Sequence, residues 1–452
     1  MIFRKIFIAN RGEIALRVMR TCERLGIETI LGASEADLHS LPARLADTVV
    51  CLGPARPGLS YLNIANVIAA ARESKADALH PGYGFLSENA GLARACVEAG
   101  ITFIGPDVAH LEAVGNKLTA RTHAVAAGLP VVPGGPAETP RAAVSTAQEL
   151  GFPILVKAVG GGGGRGMKLV QRAGEMEQIA ALAMAEAEAA FGDRRIYVER
   201  FVSSGRHVEV QIVGDGKDVI HLGDRDCSVQ RRYQKVIEEA PAPDLTEGMR
   251  AAIREAGVRF GKHLGYRGLG TVEFLVDRRR DEFYFLEMNA RIQVEHPVTE
   301  AITGLDLVAL QIAVAEGTPL PVRQADVTFR GHAFECRLNA EDWQDDFRPS
   351  PGTVNRAALP VGSGIRIDTH IQNGAAVPPF YDSLLAKVIV HGDDRQTALD
   401  RLKRALASCH IDGVATNLGL HIALTADREF ATGGVDTAFL GRFLAGSEVS
   451  HG

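Results

Sequence analysis

The first hundred residues alternate short apolar runs with segments of helical periodicity. The apolar runs predict buried strands, which cover residues 5–9, 27–31, 48–52, 76–80 and 101–104. Helical patterns separate them at residues 13–25, 65–73 and 88–99, and Gly26 stands where a glycine commonly ends a helix. This alternation predicts a parallel α/β sheet. Ligands of such sheets gather at the carboxyl ends of the strands, where residues 80–84 would lie.

A different organisation begins near Pro106. Residues 107–128 are predicted to be helical, and residues 128–140 form a Pro/Gly-rich connector. Beyond Gly331 strand patterns dominate until a last helix predicted at residues 397–407. The expected fold class is mixed α/β, with a parallel N-terminal domain and a mainly β C-terminal domain. We expect these bounds: a domain at 1–113, a domain at 114–330 with a mobile lid subdomain at about 130–203, a domain at 331–446, and a flexible tail at 447–452.

Composition and charge exclude several classes of protein. The 452 residues include 49 basic and 55 acidic ones, and the resulting net charge of −6 gives no general attraction to nucleic acid or to an anionic membrane. No run approaches the roughly 20 apolar residues of a membrane span. The apolar run at the start is too short for a signal peptide. The 6 cysteines lack metal-binding or redox spacing and fit buried thiols in a reducing compartment, so we expect a cytoplasmic protein.

The first chemical motif is a glycine run between two predicted strands, within the segment KAVGGGGGRG at residues 157–166. Consecutive glycines let backbone N–H groups approach an anion without obstruction by a Cβ atom. The run lacks the Gly-Lys-Ser/Thr of a Walker A loop, and it joins two strands, unlike a dinucleotide-binding loop. A flexible surface turn is the alternative. Five consecutive glycines flanked by Lys157 and Arg165 favour a phosphate-binding loop.

The second motif is a predicted β-hairpin that leads into a strictly alternating segment. Its two apolar runs begin at Thr271 and Phe283, and from Glu287 to Glu295 every odd residue is polar and every even residue is apolar. In an extended chain the odd residues share one face, and they are Glu287, Asn289, Arg291, Gln293 and Glu295. A half-exposed strand with one solvated side is the alternative interpretation.

The chemistry of this face favours a catalytic site. The hairpin can place Glu273 beside Glu287, which makes an oxygen site for a hard divalent cation. Arg291 and Gln293 offer a planar fork and an amide, which suit a small carboxylate-like anion. Glu295 beyond them would be free to act as a base. Metal, anion site and base in this order indicate phosphoryl transfer to a small oxyanion, followed by deprotonation of a second substrate.

Other candidate residues have an ordinary structural interpretation as well. Arg231 and Arg232 would belong to a salt-bridged surface. Lys117 would be a lysine on the surface of a helix. Glu335 and Arg337 share one face of a predicted strand, so an ion pair between them is the structural alternative to a catalytic role for Arg337.

Together these residues resemble one family, the biotin carboxylase component of biotin-dependent carboxylases such as acetyl-CoA carboxylase, which has the ATP-grasp fold. The resemblance spans nearly the whole chain in family order. It rests on IANRGE (8–13), HPGYGFLSEN (80–89), KAVGGGGGRGM (157–167), GRHVEVQ (205–211), RDCSVQRRYQKVIEEAP (225–241), EMNARIQVEHPVTE (287–300) and YDS (381–383). The expected domains would then be the N-terminal biotin carboxylase domain, the ATP-grasp domain and the C-terminal biotin carboxylase domain.

The resemblance implies roles for individual residues. ATP would be bound by Lys117, Lys157, Gly162, Gly163, Gly164, Gly166, His207 and Gln230, with the adenine near Glu199, Arg200 and Val202. Magnesium or manganese would be held by Glu273 and Glu287, with Asn289 nearby. Bicarbonate would be bound by Lys235, Arg291, Gln293 and Val294. Glu295 would be the general base, Arg337 would stabilise the biotin enolate, and the ureido ring of biotin would lie against Tyr83 and Gln234.

The implied reaction is the ATP-dependent carboxylation of biotin by bicarbonate through carboxyphosphate. Because the chain lacks an Ala-Met-Lys-Met biotin-attachment segment, the expected partners are a biotin carboxyl carrier protein and a carboxyltransferase, and a homodimer is expected. The chain departs from the family at Asn116, Asp224 and Tyr233, and many members carry histidine at the last position. Two alternatives remain open, an ATP-grasp carboxylate–amine ligase and a nucleotide-sensing scaffold without catalysis.

Overall fold

The chain begins with a five-stranded parallel sheet in this computed structural model, which describes residues 2–160 and 167–449. The strands are β1 (Lys5–Ile8), β2 (Glu28–Ser34), β3 (Thr48–Gly53), β4 (Ala78–His80) and β5 (Thr102–Phe103), and the accompanying helices are α1 (Gly12–Leu25), α2 (Leu41–Leu45), α3 (Ile64–Glu73), α4 (Ala90–Glu98) and α5 (Val108–Gly115). The strand order is β3-β2-β1-β4-β5, which confirms the predicted parallel sheet. Gly26 ends α1 in the left-handed conformation, with φ of 70°, as predicted.

A four-stranded antiparallel sheet follows and carries the glycine run. Its elements are α6 (Lys117–Ala126), β6 (Gly134–Ala137), α7 (Pro140–Leu150), β7 (Ile154–Ala158), β8 (Lys168–Val170), α8 (Met176–Phe191) and β9 (Ile196–Arg200). The strand order is β6-β9-β7-β8, and β7 pairs antiparallel with β8. The strand–loop–strand prediction is therefore confirmed, although residues 161–166 of the loop lie outside the described residues. Strand β6 lies within the segment predicted to be a connector. It was not predicted as a strand because its sequence GGPA has no alternating pattern, and pairing with β9 makes it one.

The third part of the chain consists of long antiparallel strands. Its elements are β10 (Gly205–Asp215), β11 (Val219–Arg231), β12 (Gln234–Ala240), α9 (Glu247–Leu264), β13 (Arg267–Asp277), β14 (Glu282–Asn289), α10 (His296–Thr303) and α11 (Leu307–Ala315). Strands β13 and β14 form the predicted hairpin, and their register places Glu273 opposite Glu287. Alternation of apolar and polar residues along these strands buries one face against α9, so the other face is free to line a site.

The C-terminal part extends this sheet. Its elements are β15 (His332–Asn339), β16 (Glu341–Asp342), β17 (Arg348–Pro349), β18 (Gly352–Val354), β19 (Arg356–Ala358), β20 (Ile365–Thr369), β21 (Ala375–Val377), β22 (Leu384–Gly392), α12 (Arg395–Ala407), β23 (His410–Asp412), α13 (Leu418–Ala426), α14 (Arg428–Thr432) and α15 (Phe439–Val449). Strand β12 pairs with β15, which gives one sheet of eight strands in the order β14-β13-β10-β11-β12-β15-β22-β20. The sheet thus continues across the domain boundary predicted at residue 331.

Two predictions about the C-terminal part differ from the structure. The helix predicted at residues 397–407 is not the last one, because α13, α14 and α15 follow it. These helices bury Leu424, Phe430 and Phe439 in the same apolar cluster as Val388 of β22, so packing against the sheet stabilises segments whose own periodicity is weak. The backbone is helical as far as Val449, which lies within the tail predicted from residue 447.

The cysteines are all free. The prediction of buried thiols is confirmed for Cys22, Cys96, Cys227, Cys336 and Cys409 and is wrong for Cys51, which is exposed. Burial raises the pKa of Cys22 to about 12. Within residues 2–160 and 167–449, no single helix is long and apolar enough to cross a membrane. The pair α10 and α11, bent by 97°, passes this test together on length and composition alone.

The glycine before β15 provides a test of how the sheet continues. Gly331 has a φ of +65°, and a Cβ atom there would overlap the carbonyl oxygen of Gly392 on β22. Gly128 has a similar φ of +71° but open space around its Cβ position. A left-handed alanine costs about 1–2 kcal/mol, so G128A should lower the thermal midpoint modestly. G331A adds a steric overlap and should lower the midpoint further. Equal midpoints for the two variants would contradict this account of the β15–β22 junction.

Candidate active site

One large cavity of about 1010 Å³ lies where the N-terminal sheet, the four-stranded sheet and the eight-stranded sheet meet. Its lining includes every described residue for which the sequence predicted a role: Tyr83, Lys117, Lys157, Glu199, Arg200, Val202, His207, Gln230, Gln234, Lys235, Glu273, Glu287, Asn289, Arg291, Gln293, Val294, Glu295 and Arg337. Gly162, Gly163, Gly164 and Gly166 lie outside the described residues. Val159 and Met167, close to the two ends of this gap, also line the cavity.

The alternating segment faces the cavity, but it is not one continuous strand. Strand β14 ends at Asn289, so the prediction of an extended chain as far as Glu295 is wrong. The cause is Glu88, whose carboxylate accepts hydrogen bonds from the Ala290 backbone N–H (3.0 Å) and from Nε of Arg291 (2.8 Å). The first of these bonds satisfies a backbone N–H that would otherwise pair with a neighbouring strand, and the second holds the Arg291 side chain. The odd-numbered side chains nevertheless line the cavity, and Ile292 is buried.

The ammonium group of Lys235 lies among three carboxylates. Its Nζ is 2.5 Å from Glu209, 2.9 Å from Glu273 and 2.7 Å from Glu295. Burial disfavours a charged lysine, but the neighbouring anionic groups outweigh it and hold the pKa of Lys235 well above its usual value. Burial likewise opposes ionisation of Glu273, yet Lys235 and His207 keep its pKa well below the usual range. Lys235 and Glu273 are therefore both charged at neutral pH.

Glu209 is a site residue that the sequence analysis missed. It is fully buried, and its carboxylate also accepts from Nε of Arg225 at 2.6 Å. Arg225 in turn donates to the side-chain oxygen of Gln293 at 2.7 Å, which leaves the Gln293 amide nitrogen to donate to Glu273 at 3.1 Å. The period-2 spacing from His207 to Glu209 on β10 was a signal that could have found this residue.

Arg337 also contacts Glu295, and its second carboxylate partner is Glu238. Its Nη2 is 2.8 Å from Glu295 and 2.5 Å from Glu238, so the ion pair with Glu335 that was the structural alternative is not the one observed. The β12–β15 register brings Glu238 beside Glu335, and the guanidinium turns toward the former. Burial opposes ionisation of Glu295, but Lys235 and Arg337 outweigh it and hold its pKa far below the usual range.

The half of the cavity under the four-stranded sheet contains the remaining predicted residues. Lys157 forms an ion pair with Glu199, and Arg200 donates to the hydroxyl of Tyr284. Lys117 begins α6 and its Nζ is 2.9 Å from Glu287. These cations line the cavity together with an apolar surface that includes Val202, Leu275 and Phe285.

Two of the three positions where the chain departs from the family pattern, Asn116 and Asp224, have clear structural roles. Asn116 caps α6, because its side-chain oxygen accepts from the backbone N–H groups of Leu118 (2.9 Å) and Thr119 (3.2 Å). Asp224 accepts from Arg250 at 2.7 Å. Tyr233 lies in the β11–β12 turn with φ of 68° and is half exposed in the cavity.

Arg231 and Arg232 form the salt-bridged surface that the sequence analysis preferred for them, since both pair with Asp346.

The hairpin carboxylates fit a hard divalent cation. Glu273 and Glu287 face each other across β13 and β14, both line the cavity, and Asn289 adds an amide oxygen. Oxygen ligands of this kind suit magnesium or manganese. The ligand atoms of His207, Glu209 and Glu273 also lie within 4.8 Å of one another, but Glu209 does not line the cavity and is already paired with both Arg225 and Lys235. The donor chemistry therefore favours the pair of hairpin glutamates.

Comparisons with known proteins agree with this geometry. The family described as "Biotin carboxylase, N-terminal domain" matches residues 2–111, "Carbamoyl-phosphate synthase L chain, ATP binding domain" matches residues 116–323, and "Biotin carboxylase C-terminal domain" matches residues 335–442. The biotin carboxylase of Nostoc sp. is 49% identical over 443 residues, which cover 97% of this chain and 99% of that protein. The chain belongs to the biotin carboxylase family.

Solved structures of the family share the whole fold. A biotin carboxylase from Campylobacter jejuni in a β,γ-ATP complex has a TM-score of 0.92 at 43% identity, covering 97% of this chain and 99% of that one. The biotin carboxylase domain dimer of Hydrogenobacter thermophilus 2-oxoglutarate carboxylase, crystallised with MgADP, ADP and bicarbonate, has a TM-score of 0.91 at 42% identity, covering 98% of each chain. The predicted ATP-grasp fold and the predicted ligase activity of a biotin carboxylase are confirmed.

The charge balance around Lys235 can be tested by neutralising Glu209. E209Q leaves Arg225 without its carboxylate partner in a fully buried position, and breaking such a pair costs about 3 kcal/mol or more. We expect a lower denaturation midpoint in urea. E247Q is the control. The Glu247 side chain is 86% exposed and its ion pair with Arg250 is long, at 3.7 Å, so the midpoint of this variant should match that of the unmodified protein. A midpoint for E209Q equal to that of E247Q would contradict the assigned charge network.

Proposed function

We propose that this chain carboxylates biotin on a carrier protein, using ATP and bicarbonate and releasing ADP and phosphate. The observation that carries the proposal is the order of groups along one cavity wall. Hairpin carboxylates lie at one end, an anion-binding set follows, and Glu295 lies between the cations Lys235 and Arg337. This order matches a reaction in which phosphoryl transfer to a small oxyanion precedes deprotonation of a second substrate.

ATP would occupy the space under the four-stranded sheet. Lys117 and Lys157 would contact the phosphates with His207, and Gln230 would lie near the ribose. The adenine would lie near Glu199, Arg200 and Val202, beside apolar lining residues of the cavity. The glycine loop, including Gly162, Gly163, Gly164 and Gly166, would cover the phosphates and exclude water from carboxyphosphate. Magnesium or manganese held by Glu273, Glu287 and Asn289 would neutralise charge on the phosphates.

Bicarbonate would bind between Arg291, Gln293, Lys235 and the backbone of Val294. Arg291 is oriented for this role because Glu88 and Asn289 accept its Nε and Nη2 hydrogens at 2.8 and 2.9 Å. The Gln293 amide is oriented by Arg225, as described above. Glu295, as the general base, would take the proton of bicarbonate, which allows a bicarbonate oxygen to attack the terminal phosphate of ATP.

Biotin would enter from the side of Tyr83 and Gln234. The N1′ nitrogen of its urea-like ring is a weak nucleophile until it is deprotonated. Arg337 would stabilise the enolate form of the ring, because a guanidinium held in a water-poor cavity offsets the developing oxyanion charge. Carboxyphosphate would collapse to CO2 and phosphate, the released phosphate would take the N1′ proton, and N1′ of the resulting enolate would form the new C–N bond with CO2 to give carboxybiotin.

We propose the domain division 1–113, 114–330 and 331–446 on the support of the three family matches. The partners would be a biotin carboxyl carrier protein and a carboxyltransferase, which selects the final acyl acceptor. A homodimer is also proposed, supported by the dimer of the Hydrogenobacter relative.

The proposed reaction predicts that purified protein cleaves ATP in a bicarbonate-dependent manner and that biotin accelerates cleavage. E295Q and R337A should each lower the biotin-dependent rate by about 100-fold or more, since they remove the base and the oxyanion partner. R231A is the control, because Arg231 pairs with Asp346 outside the cavity and its loss should leave the rate unchanged. Retention of the rate in E295Q or R337A would contradict the assigned roles. Acceleration by an amine in place of biotin would indicate a carboxylate–amine ligase.

A further inference from the structure

The guanidinium group of Arg337 contacts a carboxylate on the side away from the cavity, and this carboxylate does not line the cavity. Glu238 on β12 lies 2.5 Å from Nη2 of Arg337, while Glu295 contacts the same nitrogen at 2.8 Å from the cavity side. The backbone carbonyl of Arg337 also accepts from the side chains of Asn417 (3.0 Å) and His421 (2.7 Å). The backbone of Arg337 is therefore fixed by these two hydrogen bonds. Glu238 is the contact that fixes the orientation of its guanidinium group on the side away from the cavity.

Glu238 has a second acid beside it. Glu335 lies opposite Glu238 in the β12–β15 register, and both side chains are fully buried. Among the described residues, no carboxylate oxygen of Glu238 or Glu335 makes a hydrogen bond, so Glu238 holds Arg337 through an ion pair and Glu335 has no such partner. Two adjacent buried carboxylates cannot both be charged at low cost. Burial, together with this repulsion, holds the pKa of Glu335 well above its usual value, so Glu335 is the protonated member of the pair.

The ionisation of Glu238 depends on all the groups that face it. Burial raises its pKa to about 7, against the opposing effect of Arg337. The other charged neighbours are Lys235 on its own strand, Glu209 on β10, and Glu295 before α10. Lys387 on β22 faces Glu335, and the nearby thiols of Cys227 and Cys336 stay protonated because burial raises the pKa of each well above its usual value. Glu238 is thus the member of this group that changes charge near neutral pH.

We propose that Glu238, with Glu335 beside it, is a positioning residue that aims Arg337 for the biotin step of the reaction. The inference rests on the proposed function, since it assigns Arg337 to the biotin enolate. Among the described residues, Glu238 forms an ion pair with Arg337 and with no residue of the proposed bicarbonate or nucleotide sites. Its role should therefore be confined to carboxyl transfer, and bicarbonate activation by ATP should proceed without it.

The experiment compares two rates in the same protein. ATP cleavage with bicarbonate alone reports the first step, and its acceleration by free biotin reports the second. In E238Q the ratio of the second rate to the first should fall about 10- to 100-fold, because a misaimed catalytic group costs that much. The KM values for ATP and bicarbonate should stay unchanged. E239Q is the matched control, because Glu239 is the next residue on β12 but pairs with His332 and Arg395 on the far side of the sheet.

The pH dependence gives a readout that a purely structural role would not move. A raised pKa leaves Glu238 neutral below about pH 7 and charged above it, so the anchoring of Arg337 is present on the alkaline side and lost on the acid side. The rate ratio of the unmodified protein should fall as the pH is lowered through 7. In E238Q the ratio should be low and flat over the same range, whereas E239Q should follow the unmodified protein.

The possible outcomes distinguish a failure of the proposed function from a failure of the positioning role of Glu238. If the unmodified protein shows no acceleration by biotin, the proposed function fails and the role of Glu238 fails with it. If the unmodified protein is accelerated but E238Q retains its ratio and its pH dependence, the function stands and the positioning role is wrong. An equal loss in E238Q and E239Q would also overturn it, because the effect would then follow from losing any buried carboxylate of β12.

Discussion

The ammonium group of Lys235 is the contact on which the rest of the site depends. Three carboxylates, from Glu209, Glu273 and Glu295, are almost completely buried, and a buried carboxylate without a cation costs several kcal/mol. They belong to β10, β13 and the turn before α10, segments that are far apart in the sequence. The single ammonium group, at 2.5 to 2.9 Å from all three carboxylates, therefore balances their charge and also holds the three segments together. It fixes the base of the proposed reaction relative to the hairpin that would hold the metal.

The same alternation of charge continues along the eight-stranded sheet. Arg337 lies between Glu295 and Glu238, and the fully buried Lys387 donates to the Val294 carbonyl at 2.9 Å and lies 3.1 Å from Glu13. Glu13 also accepts from the hydroxyl of Tyr83, which lies on the proposed biotin side of the cavity. Arg337, Lys387 and Glu13 thus each contact two partners. A displacement of either substrate region would separate charges in a low-dielectric interior, so the sheet acts as one rigid frame for both steps.

What the sequence could predict depended on how local the determining contacts are. The Glu273–Glu287 pairing followed from two apolar runs joined by a short turn, and the structure has that register. The end of β14 at Asn289 was not predictable, since it is set by a hydrogen bond that the Ala290 N–H donates to Glu88, about two hundred residues earlier in the chain. The partner of Arg337 was missed for the same reason: period-2 alternation identifies a shared face on one strand, whereas the register of β12 against β15 places Glu238 there. The helices after α12 lacked a strong pattern because the sheet buries them.

The proposed base presents a physical problem that the cation network resolves. Lys235 and Arg337 hold the pKa of Glu295 far below the usual range, so in the free protein this carboxylate is a poor proton acceptor. Both cations also belong to the proposed substrate sites. When bicarbonate and the oxygen of biotin draw hydrogen bonds from them, less of their charge stabilises the Glu295 anion, and its pKa must rise. The base therefore gains strength only when the substrates are in place.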